Sequence, residues 1–187
     1  MGVTSSTIGA GSTVDASATL GPGATVGAGA SVKANATIGW GVVVGDGAVV
    51  GEGATLRTGV IVEPNAVVAD RATLDIGVWL GENAVVSDGA TLGIGVKVFP
   101  RASIGAGCTL GHGALVAEAV QVAAGVTIPH GRRVSLSIAP VGDAVPSSPG
   151  SKTLTVEEGG GGDASQPLLK GTGAPASDAA VGLSTSA

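Results

Sequence analysis

The amino-acid sequence predicts an all-β chain that folds as a parallel β-solenoid with three sides and about seven coils. The first observation is a repeat of six, because Val, Ile or Leu occupies every sixth position from Ile8 to Val134, 22 positions in all. The second is an 18-residue period that groups the hexads in threes. The third is composition, with 34 Gly among 187 residues and only 2% aromatic residues.

Each hexad is expected to supply one short strand. A small residue lies two places before the aliphatic position in most hexads, as Ala18 and Ala24 do, and Arg132 breaks this pattern. Successive side chains of a strand point to opposite faces, so the small and aliphatic residues share the inward side. The core is therefore predicted to consist of Val, Ile, Leu and Ala.

Corners are predicted where the strands change direction. The residue just before the small one is Gly or Asn in most hexads, for example Gly23, Asn35 and Gly107. Both residue types tolerate positive φ, which a sharp corner requires. Strand and corner then alternate without insertion, which is typical of a solenoid.

The number of sides follows from a column of threonines. Threonine recurs every 18 residues in the outward position of its strand, so three strands make one coil. The Thr column consists of Thr19, Thr37, Thr55, Thr73, Thr91, Thr109 and Thr127. Such a regular array of hydroxyl and methyl groups is also the kind of surface that antifreeze solenoids present to ice.

Two regions are predicted. Residues 1–135 carry the repeat, and residues 136–187 form a tail in which Gly, Ser, Pro and Ala dominate. This composition predicts a mostly disordered tail. Two short apolar segments in it, residues 154–157 and 167–169, could dock on the prism.

Charge and composition exclude several classes of partner. The net charge of -5 repels a phosphate backbone, so no nucleic-acid partner is expected. The sequence contains no run of 18 apolar residues, so no membrane span is predicted. The N-terminus lacks a basic region followed by an apolar one, so no secretory signal is predicted. A cytoplasmic location is therefore expected. The single Cys108 occupies an inward position and is interpreted as a core filler.

Large apolar residues converge on one edge of the predicted prism. Residues 18 positions apart occupy equivalent places in successive coils and so form columns along the prism. One corner column lies beside the column of outward residues on the next face. This apolar stripe consists of Trp40, Val43, Ile61, Ile76, Trp79, Ile94 and Leu115. A contiguous apolar patch usually marks an interface, so the stripe predicts association of copies in a closed symmetric oligomer.

The repeat resembles the hexapeptide-repeat family, whose members form a left-handed, three-sided parallel β-helix. The family includes acyltransferases and γ-class carbonic anhydrases and is typically trimeric, which implies a homotrimer here. His112 lies in LGHGALVAEAV, which resembles the segment that carries an active-site His in both enzyme groups. His130 lies one coil further along the same column, in TIPHGRRV, which resembles the closing coil of the transferases.

The resemblance to the anhydrases does not extend to their zinc ligands. A catalytic zinc needs three protein ligands and an open position for water. The family's second His corresponds here to Ala117, and the earlier coils carry Ile76 and Ile94 in this column. Two ligands are thus missing, so no metal site and no anhydrase activity are predicted.

Three functions remain open on these observations. The preferred hypothesis is a non-catalytic or degenerate member of the family, a homotrimeric scaffold that contacts protein partners through the apolar stripe or the tail, without a cofactor. The second is an acyltransferase with a coenzyme A thioester donor, in which His112, with His130 as a further candidate, is the general base. The third is ice binding through the Thr column.

Overall fold

The strands follow the six-residue repeat along the whole of the described chain. The structure, a computed structural model, describes residues 6–137. It contains β1 (Thr7–Ile8), β2 (Thr13–Val14), β3 (Thr19–Leu20), β4 (Thr25–Val26), β5 (Ser31–Val32), β6 (Thr37–Ile38), β7 (Val43–Val44), β8 (Val49–Val50), β9 (Thr55–Leu56), β10 (Ile61–Val62), β11 (Val67–Val68), β12 (Thr73–Leu74), β13 (Trp79–Leu80), β14 (Val85–Val86), β15 (Thr91–Leu92), β16 (Lys97–Val98), β17 (Ser103–Ile104), β18 (Thr109–Leu110), β19 (Leu115–Val116), β20 (Gln121–Val122), β21 (Thr127–Ile128) and β22 (Arg133–Val134).

Every third strand belongs to the same parallel sheet. Face 1 runs from β1 through β4 to β22, face 2 from β2 to β20 and face 3 from β3 to β21. The register is constant, so that Thr73 pairs with Thr55 on one side and with Thr91 on the other. At ~4.8 Å between strands, the eight strands of face 1 extend over ~34 Å. The predicted three-sided parallel β-helix of about seven coils is confirmed.

The predicted aliphatic and small positions fill the interior. Val50, Leu74 and Ala84, for example, are completely buried. No polar or charged side chain is buried within residues 6–137. The thiol of Cys108 is buried among them and donates to the carbonyl oxygen of Ala123 at 2.9 Å, as expected of a core filler. Both tryptophans lie outside this core.

The corners close by backbone hydrogen bonds within and between coils. At one of them the N–H of Ala48 donates to the carbonyl of Gly45 at 3.2 Å, and Gly47 donates to Ala28 of the previous coil at 2.9 Å. Each corner consists of the three residues that follow a strand, such as residues 45–47 after β7. The third of these residues has positive φ in every corner from residue 11 to residue 131 except at Ser17. Gly and Asn occupy most of these positions, which confirms the sequence-based interpretation.

Three third corner residues are neither Gly nor Asn. Arg71, Arg101 and Ala119 adopt φ of 56°, 61° and 56°. The left-handed region brings Cβ close to the following carbonyl oxygen, at a cost of ~1–2 kcal/mol per residue. These corners therefore retain local strain that the surrounding ladder of coils imposes.

The chain leaves the described structure at the corner after β22. The hydroxyl oxygen of Ser137 accepts a hydrogen bond from the N–H of Gln121 at 3.1 Å. Apart from Leu136 and Ser137, the predicted disordered tail lies outside the described residues. Within residues 6–137 there is no helix long and apolar enough to span a membrane.

The strain at Ala119 can be relieved by glycine. Ala119→Gly is expected to raise the free energy of unfolding by up to about 1 kcal/mol, because glycine adopts this φ without the Cβ clash. The matched control is Ala124→Gly, at a corner residue without positive φ, which should lower stability by about 0.4–1 kcal/mol. Urea denaturation measures both. Equal destabilisation by the two substitutions would contradict the assignment of strain.

Candidate functional site

The two histidines lie one above the other at the corner between faces 3 and 1. His112 follows β18 and His130 follows β21, and both are exposed. Their rings are stacked, with centroids 4.9 Å apart and an interplanar angle of 24°. Nδ1 of His112 accepts a hydrogen bond from the backbone N–H of Ile94, and Nδ1 of His130 accepts one from the N–H of His112, both at 2.8 Å.

These hydrogen bonds determine which ring nitrogen carries the proton. A nitrogen that accepts from an N–H has its lone pair engaged, so the proton of the neutral ring resides on Nε2. A general base needs a free lone pair at the nitrogen that faces the substrate. In the observed geometry, the exposed Nε2 of His112 is a hydrogen-bond donor. The catalytic roles assigned to His112 and His130 stay predictions.

Other corners use carboxylates in the same way. Asp46 Oδ1 accepts from the N–H of Ala28 at 2.7 Å, and Asp70 Oδ1 accepts from the N–H of Glu52 at 2.8 Å. In each pair the acceptor is the second corner residue of the next coil, as it is for the histidines. The corner amide would otherwise lack a partner. Sequence reasoning missed this role, although the 18-residue spacing of Ala28 and Asp46 was visible.

The potential metal ligands do not form a cluster. Among residues 6–137, no group of three or more His, Cys, Asp or Glu side chains could hold a metal ion. Ala117 is half-buried against the core, and Ile76 and Ile94 point outward at the positions where the anhydrase resemblance would require ligands.

The apolar stripe is a real surface feature. Its corner residues Trp40, Ile76 and Ile94 are 66%, 48% and 47% exposed. Val43 and Ile61 on face 1 are also exposed, whereas Trp79 and Leu115 are half-buried. The structure thus brings all the predicted residues to one edge of the prism.

An unbroken glycine column borders the stripe. The third corner residue between faces 3 and 1 is Gly in all seven coils, from Gly23 to Gly131. The other two corners accept Asn35, Arg71 or Ala119 at the equivalent position, so backbone conformation alone does not demand Gly. A Cβ placed on Gly59 or on most of this column would meet no atom of the chain within 4 Å. The space outside these glycines is therefore open, as it is outside Gly89 and Gly107 at another corner.

Trp79 is held by two neighbours that sequence reasoning missed. The edge of Phe99 packs on it, with ring centroids 5.6 Å apart and an interplanar angle of 77°. Its Nε1 donates to Glu63 Oε1 at 3.1 Å. Phe99 is the first corner residue after β16, a column that the sequence reasoning did not inspect.

The Thr column lies along face 3 in continuous register. Each threonine pairs with the one 18 residues away, from Thr19 to Thr127. Thr55 and Thr73 are half-buried, whereas the other five are exposed. Arg57 and Asp75 form an ion pair at 3.5 Å in the adjoining corner. Ice binding by this column stays a prediction.

Similarity to known families agrees with the repeat seen in the structure. Residues 5–39 match the family described as "Bacterial transferase hexapeptide (six repeats)", and residues 34–57 match "Hexapeptide repeat of succinyl-transferase". The same hexads continue through every coil as far as Val134. The chain is a hexapeptide-repeat protein.

Solved structures are similar to this hexapeptide-repeat protein in fold. PerB from Caulobacter crescentus, solved in complex with CoA and GDP-perosamine, has a TM-score of 0.55 at 19% identity, over 62% of this chain and 53% of that chain. The acetyltransferase domain of PglB from Neisseria gonorrhoeae FA1090 has a TM-score of 0.41 at 26% identity, over 60% and 54%. UDP-N-acetylglucosamine acyltransferase from Francisella novicida has 0.36 at 16% identity, over 67% and 56%.

These likenesses concern only part of each neighbour. The hexapeptide-repeat protein spans about half the length of the three solved structures. The likeness to PerB shows the fold. No curated protein matches the sequence.

The protonation of the hexapeptide-repeat protein's histidines can be measured directly. Long-range ¹H–¹⁵N correlation spectra are expected to show both neutral rings protonated on Nε2, because each Nδ1 accepts a backbone N–H. His130→Asn leaves one ring and assigns the signals. A neutral His112 protonated on Nδ1 would contradict the hydrogen bond to Ile94 and restore the free lone pair that a general base needs.

Proposed function

We propose that this hexapeptide-repeat protein is a rigid, non-catalytic scaffold that assembles into a homotrimer through the apolar stripe. One observation carries the proposal: exposed large apolar side chains form a line along one edge, beside an unbroken column of glycines. Five of the eight large hydrophobic residues that residues 6–137 leave exposed belong to this stripe. A single exposed residue would mean little, but a patch of several large apolar residues, interrupted here by Thr58 and Lys97, is typical of an interface.

The shape of the stripe favours a second copy as its partner. The stripe and the glycine column both run straight along the prism, and each column contributes one residue per coil. Another prism lying parallel to the first could therefore contact them coil by coil. Contact between this edge and a different surface of the next copy is heterologous. A heterologous contact closes into a trimer when each copy is rotated by about 120°.

The stripe supplies the driving force for this assembly. Full burial of one large apolar side chain contributes about 1.5–3 kcal/mol. Association of separate copies also depends on protein concentration. Loss of one stripe residue, with a charge in its place, should therefore weaken the assembly by a large factor.

Substitution of Trp40 tests the assembly. Trp40→Glu is expected to yield single chains of 17.5 kDa in light scattering where the unmodified protein gives trimers, because a charge must be desolvated at the interface. Ala106→Glu, exposed at the corner between faces 2 and 3, is the matched control and should leave the mass unchanged. A wild-type protein that remains a single chain at all concentrations would refute the proposal.

Acyl transfer is the second candidate function. The observation that favours it is the exposed position of His112 in the same corner column as the stripe, where a neighbouring copy would stand. In this reaction Nε2 would take the proton of an acceptor hydroxyl or amine as it attacks a thioester carbonyl, and a coenzyme A thiolate would leave. Nε2 would first have to lose its own proton to a tautomeric change.

Thioester cleavage separates the two candidates. The scaffold proposal predicts no turnover of acyl-coenzyme A donors above background by the wild-type protein, because a scaffold needs no general base and the hydrogen bond at Nδ1 of His112 favours the tautomer without a free lone pair at Nε2. Free thiol release, measured with and without a mixture of amine and sugar acceptors, checks this expectation. Turnover that His112→Ala abolishes and His130→Ala retains would establish the enzyme instead.

A further inference from the structure

A shallow groove opens over Trp79 on face 1. Its volume is about 450 Å³, and Ile61, Gly77, Trp79, Lys97 and Phe99 line it. The edge of Phe99 and the hydrogen bond to Glu63 hold the indole in place. Binding on this surface would therefore lose little side-chain freedom, which favours affinity.

The groove has one positive charge without a partner. Lys97 is exposed and lies in register between Trp79 and Leu115. Within residues 6–137 its ammonium group makes no ion pair or hydrogen bond, whereas Lys33, Arg57 and Arg101 are each paired with a carboxylate. Glu63 contributes a negative charge on the opposite side of Trp79. The complementary ligand is an apolar segment that ends in negative charge.

We propose that this groove binds the chain's own residues 154–158. Their sequence is Leu-Thr-Val-Glu-Glu, in which Leu154 and Val156 would share one side when the segment is extended. These two side chains cover Trp79 and Ile61, and the following carboxylates approach Lys97. The other apolar segment, residues 167–169, is followed by Lys170 and has the wrong charge for this groove.

The chain is long enough to make this contact. It leaves the described structure at Ser137, beside the last strand of face 1, and the groove lies three strands away, which is ~14 Å. Residue 154 follows 17 positions later, a contour of up to ~56 Å at ~3.3 Å per residue. A segment on the same chain acts at an effective concentration on the order of millimolar, so weak intrinsic affinity is sufficient.

Docking of this segment would compete with assembly. Ile61 and Trp79 belong both to the groove and to the apolar stripe, so the tail and a second copy cannot occupy them together. This regulatory consequence rests on the proposed scaffold function, whereas the docking itself does not. At low protein concentration the tail thereby covers Ile61 and Trp79, and at higher concentration a second copy displaces it.

Quenching of Trp79 fluorescence by acrylamide tests the docking in the full chain. Trp40→Glu serves as the background, because it leaves Trp79 as the one tryptophan and is expected to keep copies apart. Added Leu154→Ser and Val156→Ser should raise the quenching constant about twofold, since the indole loses its cover. An unchanged constant would overturn the proposal.

Matched variants decide whether the contact is specific. Leu168→Ser with Leu169→Ser should leave the quenching constant unchanged, and an equal rise would refute the choice of segment. Lys97→Glu should expose Trp79 as the serine variants do, and Glu157→Lys with Glu158→Lys should restore its cover in that variant. Failure of Lys97→Glu to change the constant would refute the charge pairing.

Light scattering on the same samples keeps the two proposals apart. A mass of one chain in every sample assigns any change in quenching to the tail. If the Trp40→Glu background still assembles, the proposed trimer interface is wrong. The comparison between tail variants of equal mass still decides the docking.

Discussion

The constraint on which the structure depends is the narrow interior of the prism. Three parallel sheets enclose it, and each hexad must place one aliphatic and one small side chain inside. Because every coil pairs in register with the next over 18 residues, an insertion or deletion of one residue would turn inward side chains of the strand to the outside. This requirement explains why the aliphatic position is kept in all 22 hexads. It also explains the shortage of aromatic residues, since an interior filled by Val50, Leu74 and Ala84 has no space for rings.

Because the interior is fixed by the repeat, differences between columns report on the outside. The three corners share one backbone geometry, yet only the corner between faces 3 and 1 carries glycine in every coil. The tolerance for Arg71 and Ala119 at other corners shows that the fold accepts side chains there. The glycine column and the neighbouring Trp40 and Ile94 form the edge that the proposed assembly would use, which joins the composition of the chain to that proposal.

Most of the fold could be predicted from the sequence, because one rule generates all its coils. The strands, their parallel order and the buried positions follow from the spacing of Val, Ile and Leu. Less of the candidate site could be predicted. Phe99 contacts Trp79 across neighbouring coils, but the two residues are not 18 positions apart, so the 18-residue period does not reveal their contact. The proton position on His112 depends on the direction of the Ile94 N–H, which spacing alone does not reveal.

The histidines show how the same corner geometry limits chemistry. At some corners the second amide donates to an acceptor from the next coil, which His112 provides with Nδ1 as Asp46 does with a carboxylate oxygen. Freeing Nε2 as a base would place the proton on Nδ1 and leave the amide of Ile94 without this acceptor. The net cost of losing a typical hydrogen bond is about 0.5–1.5 kcal/mol, less where water can replace it. This cost is too small to prohibit the change, and a group that accepts the Nδ1 proton would reduce it. If a neighbouring copy on the adjoining stripe supplied such a group, acyl transfer by this chain would be favoured by the same assembly that the scaffold function requires.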